Sequence, residues 1–108
     1  MKKSRPFEEY LTEKLKDPDY ARIYLETALE EYEKDRDSEA FLLALRDVAE
    51  AQGGLGKLAE KTQLNRAGVY KALSEQGNPR LDTMEKILHS LGFRLSIEPL
   101  KAEEQATA

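Results

Sequence analysis

The sequence predicts an all-α fold of five to six helices, with a helix-turn-helix, an N-terminal helical extension and one short C-terminal β-strand. Apolar residues recur three and four positions apart along most of the chain, which is the helical period. Gly and Pro clusters at 53–54 and 76–79 separate these periodic segments. The 108 residues contain no internal repeat and suffice for one domain with one core. We expect an acidic helical region at 6–54 and a helix-turn-helix core at 55–92, which together form one continuous domain. A strand at 93–99 should follow it. The two ends, a basic tail at 1–5 and a tail at 100–108, are expected to be disordered.

The acidic region is expected to begin with two helices. The first is a short helix within 6–16, where apolar residues are spaced three to four apart. Asp17 and Pro18 begin the second helix, because Asp caps a helix well and Pro at the first helical position loses no hydrogen bond. This second helix should run to about Lys34.

A third helix is expected over 39–52, with Ser38 as its cap and Gly53 and Gly54 ending it. The second and third helices each show one apolar stripe that should face the core. The stripe residues are Ala21, Leu25, Ala28, Leu29 and Tyr32 in the second helix, and Phe41, Leu42, Ala44, Leu45, Val48 and Ala49 in the third.

The helix-turn-helix is predicted from a short amphipathic segment at 57–62, three residues at 63–65 and a second helix at 66–75. At 100° per residue, one side of the second helix carries Val69, Ala72 and Leu73, which can pack on Leu58 and Ala59. The other side carries cations, a small residue and hydroxyl groups, which suit the major groove of DNA. Its members are Arg66, Ala67, Tyr70, Lys71 and Ser74. The alternative interpretation is the exposed face of an ordinary helical hairpin, with Tyr70 in the core.

A last helix should follow the turn at 76–79. Asp82 and Glu85 have the spacing of a capping box. Gly92 is placed to end the helix in a left-handed conformation, and Phe93 after it can contact the final turn. The expected buried residues are Leu81, Met84, Ile87, Leu88 and Leu91.

The apolar period then changes to two over residues 93–98, which predicts a β-strand. Phe93, Leu95 and Ile97 alternate with polar residues until Pro99. A single strand cannot satisfy its own backbone groups. The favoured partner is the same strand of a second copy across a twofold axis, so that these three apolar residues hold a homodimer. A short N-terminal strand is the competing partner.

Charge is unevenly distributed along the chain, whose net charge is −4. Residues 17–39 carry nine acids against three bases, a balance of −6. Residues 57–80 carry five bases against two acids, a balance of +3. Attraction to phosphate acts within a Debye length of about 8–10 Å, so a local basic patch can serve an acidic protein. The acidic stretch is either a solvated helix face or a complement to a basic partner.

No catalytic or metal-binding constellation is found in the sequence. Cysteine is absent and His89 is the sole histidine, expected to be an ordinary helix residue. No Ser/His/acid spacing, P-loop or dinucleotide turn occurs. No apolar run has the length of a membrane span, and no signal-peptide pattern opens the chain. We therefore expect a non-enzymatic, cytoplasmic protein without metal or cofactor.

The segments 73–83 and 91–95 resemble the HigA-like addiction module antidote family, a branch of the Cro/CI-type (XRE) helix-turn-helix regulators. Similar stretches at 45–54 and 11–25 extend the resemblance to roughly residues 7–100. Two positions depart from the family pattern. Gln63 stands in the turn where Gly is usual, and Gly68 stands in the second helix where Ser is usual.

The resemblance implies an antitoxin of a type II toxin–antitoxin pair that represses its own operator as a homodimer. In this family the start of the second helix contacts the bases, which implies Asn65, Arg66 and Ala67 here, with Tyr70 and Lys71 one turn further. Lys57, Asn78 and Arg80 complete the predicted DNA-binding set. Arg80 either contacts a phosphate or is merely solvated.

The resemblance also implies a basic RelE/ParE-like toxin as the partner. The acidic second helix is the predicted toxin-binding surface because its charge is opposite. The residues expected there are Tyr20, Tyr24, Glu26, Glu30 and Glu33. The alternative function is a stand-alone phage-type (Cro/CI-like) repressor without a toxin. A third interpretation is a protein-interaction module whose helix-turn-helix no longer binds DNA.

Overall fold

The computed structural model describes residues 5–102, and these residues form six α-helices that share one hydrophobic core. In chain order the helices are α1 (Arg5–Lys14), α2 (Pro18–Asp35), α3 (Glu39–Ala51), α4 (Leu55–Thr62), α5 (Arg66–Ala72) and α6 (Leu81–Ser90). The predicted all-α class with six helices is confirmed. The predicted disordered tails fall mostly on residues 1–4 and 103–108, outside the described residues.

Helix α3 lies at the centre of the fold. It packs against α1, α2 and α4, and α4 in turn packs against α5 and α6. The largest fully buried side chains are spread over the whole chain: Leu15, Leu42, Leu45, Val48, Val69, Leu73 and Ile87. The predicted stripe of α3 is therefore buried, and the helix-turn-helix shares its core with the N-terminal helices.

Carboxylates bind the first backbone amides of both α2 and α3. Asp17 caps α2 as predicted, and its Oδ1 accepts a hydrogen bond from the Asp19 amide at 3.0 Å. Ser38 occupies the cap position of α3, but its side chain makes no capping bond. The carboxylate of Asp37 accepts from the Glu39 amide instead, at 3.0 Å. The prediction of Ser38 as the capping side chain is wrong, and the first amide of α3 is bound by the preceding acid.

Two helices end in the same way. After α3, the amide of Gly54 donates to the Ala49 carbonyl at 2.9 Å, and Gly53 is left-handed with φ +116°. After α6, the amide of Phe93 donates to the Leu88 carbonyl at 2.8 Å, and Gly92 has φ +97°. Both are Schellman ends, in which Gly adopts the positive φ without a Cβ penalty. The predicted Gly ends are confirmed.

The predicted strand at 93–98 is wrong for the described chain. Residues 5–102 contain no β-strand, and 93–98 has no regular structure. Phe93 packs on the core, whereas Leu95 and Ile97 are 43% and 97% exposed. A strand needs a hydrogen-bonded neighbour, and the competing N-terminal segment is helical from Arg5 to Lys14.

Helix α6 starts two residues earlier than its predicted capping box, with Asp82 as the cap, requires. Arg80 takes the cap position without a side-chain bond, so Asp82 lies inside the helix and its Oδ1 accepts from the Thr83 amide at 2.8 Å. Leu81, expected in the core, is 73% exposed because it occupies the first helical position. Leu29, which was expected in the core-facing stripe of α2, is also exposed.

Helix α5 ends at Ala72, three residues before the predicted Glu75, because the chain folds back over its end. The Gly77 backbone approaches so closely that an added Cβ would lie 2.2 Å from the Ala72 carbonyl oxygen. The Ser74 hydroxyl donates to the Lys71 carbonyl at 2.8 Å and satisfies one of the last helical acceptors.

We predict that Gly77→Ala lowers the free energy of unfolding by about 1–3 kcal/mol, because a backbone oxygen cannot move aside for the new methyl group. The matched control is Gly56→Ala, where the nearest obstacle is the flexible end of the Arg66 side chain at 3.3 Å and helix propensity improves by up to about 1 kcal/mol. Thermal unfolding of both variants is the measurement. Equal melting temperatures for the two would contradict the close approach.

Candidate nucleic-acid interface

A buried threonine fixes the turn between α4 and α5. The Thr62 hydroxyl donates to the Leu58 carbonyl at 2.9 Å and accepts from the Leu64 amide at 3.3 Å. Among the described residues, Thr62 is the polar residue that is buried with the core. Gln63 follows in the left-handed conformation with φ +61°, which costs a non-glycine residue about 1 kcal/mol. The local hydrogen bonds and the packing of α4 on α5 hold the turn against this cost.

The start of α5 explains the unusual glycine of the second helix. Asn65 is the cap residue, and its Oδ1 accepts a hydrogen bond from the Gly68 amide. A Cβ at position 68 would lie 3.0 Å from that oxygen, tighter than an ordinary contact. The glycine therefore leaves room for the capping side chain. Asn65 is also a predicted DNA-binding residue, and its side-chain oxygen is already engaged in this hydrogen bond within the protein.

The Arg66 side chain lies across the elbow between the two helices. Its guanidinium passes over Gly56 of α4, where an added Cβ would lie 3.3 Å from Nη2. The Arg66 Cζ is 6.0 Å from the centre of the Tyr70 ring, one helical turn on, at the outer limit of a cation–π contact. Arg66 is thus exposed yet supported from two sides.

An open hollow of about 760 Å³ lies at this elbow and brings together three predicted DNA-binding residues: Lys57, Asn65 and Arg66. Gly56, Ala59, Glu60, Gln63 and Leu64 complete its lining. Glu60 is an acid, so the lining of the hollow carries two cations, Lys57 and Arg66, against one carboxylate.

The other predicted DNA-binding residues lie outside the hollow and are also exposed. Ala67, Tyr70 and Lys71 lie on α5, and Asn78 lies in the turn that follows. Arg80 Nε is 3.5 Å from the Asp82 carboxylate, and both side chains are largely exposed. An ion pair so exposed to water contributes little to stability.

The residues predicted to bind the toxin separate into two settings. Glu26, Glu30 and Glu33 are exposed on α2, and Glu26 pairs with Arg22. Tyr20 and Tyr24 line a groove of about 380 Å³ between α2 and α3. The sequence patterns did not single out this groove, because its other lining residues, Ile23, Thr27, Ala28, Ala40 and Ala44, come from two helices.

Tyr24 also joins the two helices. Its hydroxyl donates to the Asp47 carboxylate at 2.6 Å. Partial burial, followed by the bond to that carboxylate and its negative charge, raises the pKa of the Tyr24 phenol well above its ordinary range. The hydroxyl therefore stays protonated and keeps donating at any physiological pH.

Within residues 5–102 there is no group of three or more His, Asp or Glu side chains that could hold a metal ion. No helix in the same range is both long and apolar enough to cross a membrane.

Helices α4 and α5 and the three-residue turn between them have the helix–turn–helix order that the sequence predicted. The model of a family described as "probable addiction module antidote protein" matches residues 5–99. An uncharacterized protein of Haemophilus influenzae is 33% identical over 97 residues, covering 82% of this chain and 95% of that protein. No solved structure matches the chain. The chain therefore belongs to the addiction module antidote family, and an antidote of this kind implies a toxin partner.

We predict that Thr62→Val loosens the elbow without emptying the core, because valine keeps the shape of threonine but cannot accept from the Leu64 amide. The expected loss in the free energy of unfolding is about 1–2 kcal/mol. Hydrogen exchange at the Leu64 amide should quicken. Thr62→Ser, which keeps the hydroxyl, is the control and should preserve the slow exchange of that amide. Equal exchange in both variants would show that the hydroxyl does not hold the turn.

Proposed function

We propose that this protein is the antitoxin of a type II toxin–antitoxin pair and a HigA-like (XRE) repressor of its own operator. Two findings together support this proposal. The chain belongs to the antidote family, and Arg66 lies exposed at the elbow between α4 and α5, close to Gly56 and Tyr70. Both activities are binding events without catalysis, and both take place in the cytoplasm, where the operator lies.

Helix α5 is proposed to enter the major groove. An arginine can donate two parallel hydrogen bonds to the O6 and N7 atoms of guanine. Arg66 is already held between Gly56 and Tyr70, so fewer rotamers are lost when it binds. Ala67, at the second position of α5, allows the helix to approach the bases closely.

Phosphate contacts are proposed for the remaining cations. Lys57 and Lys71 are exposed on the two helices of the motif, and residues 57–80 carry a balance of +3. Arg80 can exchange its exposed partner Asp82 for a phosphate oxygen at little cost. The amide nitrogen of Asn65 can donate to the same strand while its oxygen caps α5. Asn78, in the turn after α5, is proposed as a further backbone contact.

A homodimer is proposed for operator binding, because a twofold pair of α5 helices fits two half-sites about 34–36 Å apart. The segment after α6 supports this, since Leu95 and Ile97 are apolar and exposed. The proposed toxin is a basic RelE/ParE-like protein, because α2 presents the opposite charge and complementary fields speed association.

We expect Arg66→Ala to weaken binding to the operator by about 1–3 kcal/mol and to relax sequence preference at one base pair, because the lost contacts are to a base edge. Lys71→Ala should weaken binding to operator and scrambled duplexes alike and flatten the salt dependence by about one unit, because its contact is to phosphate. Fluorescence anisotropy with both duplexes at several salt concentrations separates the two. Unchanged operator affinity in Arg66→Ala would exclude α5 as the recognition helix.

We expect the intact chain to be a dimer at micromolar concentration and Ile97→Asp to shift it toward the monomer. Ile97 is 97% exposed, so the folded monomer loses no buried contact and only a contact between copies is disturbed. Light scattering measures the mass, and Ser96→Asp is the neighbouring charge control. A monomeric intact chain would contradict the proposed dimer.

A growth assay distinguishes the antitoxin from a stand-alone repressor. Only an antitoxin should protect cells that also express the product of the adjacent reading frame, where the basic toxin is expected to be encoded.

A further inference from the structure

We infer that the groove between α2 and α3 is the surface that captures the toxin, and that it takes a basic amphipathic helix of that toxin. This inference rests on the proposed antitoxin function and adds the place of contact and the chemistry of the contacting segment. The groove is defined by the residues that line it, above all Tyr20, Ile23 and Tyr24 on α2 and Ala40 and Ala44 on α3.

The groove is apolar and open to solvent. Ile23 is 55% exposed and Tyr20 is 38% exposed, so two large apolar side chains of the groove are accessible to a partner. Alanines at 40 and 44 keep the α3 side shallow, so that a partner can approach the helix backbone closely. Aromatic side chains of this kind are enriched where proteins contact one another.

The groove is also preformed. The Tyr24 hydroxyl bonds to Asp47 of α3 at 2.6 Å and ties the two walls together. The buried residues Ala21 and Leu25 hold the neighbouring face of α2 on the core. A partner therefore meets a surface that needs little rearrangement, which lowers the entropic cost of binding.

The charge around the groove selects a cationic occupant. At 100° per residue, Glu26 and Glu30 lie within about 60° of Ile23 on α2. Glu26 holds Arg22 in an exposed ion pair that an incoming cation can replace. The residues from 17 to 39 carry a balance of −6, which repels both DNA and a second acidic copy of this region.

The shape favours a helix as the occupant. A groove between two packed helices accepts the apolar face of a third helix, whereas strand addition needs an exposed sheet edge. Residues 5–102 offer no strand for such pairing. The groove shares no lining residue with the hollow at the α4–α5 elbow, so toxin and operator have separate surfaces.

The test compares two arginine substitutions on α2 of the full-length chain. Ile23→Arg places a cation in the groove, and Leu29→Arg places one at a similarly exposed apolar residue about 120° around the helix. The probe is the purified product of the reading frame adjacent to this protein's gene, which the proposed function expects to be a small basic protein, and calorimetry gives its affinity. We expect Ile23→Arg to weaken binding about tenfold or more and Leu29→Arg to change it less than about threefold. Both variants should bind operator DNA like the intact chain.

A second pair of variants tests the charge. Glu30→Lys should slow toxin association several-fold at low salt, whereas Glu85→Lys on α6 should leave it unchanged. Equal toxin affinity in the intact chain and Ile23→Arg overturns the groove but leaves the antitoxin function standing. If Ile23→Arg changes only the oligomeric state, the groove joins two copies instead. If the intact chain does not bind the neighbouring basic protein, both the function and the groove are overturned.

Discussion

The burial of one face of α3 is the interaction on which the rest of the structure depends. Leu45 and Val48 are completely inaccessible to solvent, and each such side chain contributes roughly 1.5–3 kcal/mol through its burial. α1, α2 and α4 rest directly on α3, while α5 and α6 reach it through α4. The Gln52 side-chain amide at the end of α3 also donates to the Leu91 carbonyl at the end of α6, at 3.0 Å. The groove between α2 and α3 and the elbow between α4 and α5 therefore depend on the same buried helix.

Those parts of the fold that depend on local chemistry could be predicted from the sequence. The helical stripes, the Asp17 cap and the Gly92 end each follow from residues within one or two turns of one another. The strand at 93–98 could not be predicted correctly, because alternation describes the side chains and says nothing of a hydrogen-bonded neighbour. The predicted burial of Leu81 failed for a related reason, since α6 begins two residues before the start that its capping box indicates and Leu81 becomes its exposed first residue.

The sequence predicted which residue types make up the candidate site, but it did not predict the contacts that hold those residues in place. Spacing placed Arg66 and Tyr70 on one face, which their ring contact bears out. The support from Gly56 was missed, because it comes from the other helix of the motif. The role of Thr62 was missed because a polar residue at the end of a helix resembles many solvated ones, and only the structure shows that it is buried and hydrogen-bonded to the backbone. The groove between α2 and α3 is likewise a property of two helices, invisible in either segment alone.

Opposite charges on one small chain can serve two partners only if each acts over a short distance. Residues 17–39 and 57–80 carry balances of −6 and +3, and over the whole chain the acids prevail. Salt screens exposed charges beyond about 8–10 Å, so in the proposed DNA complex a phosphate at the elbow would be attracted mainly by Lys57, Arg66 and Lys71. The proposed affinity for DNA therefore depends on close contacts rather than on long-range steering. Positioning Arg66 near Gly56 and Tyr70 favours such a contact, because it lowers the entropic cost of fixing the side chain.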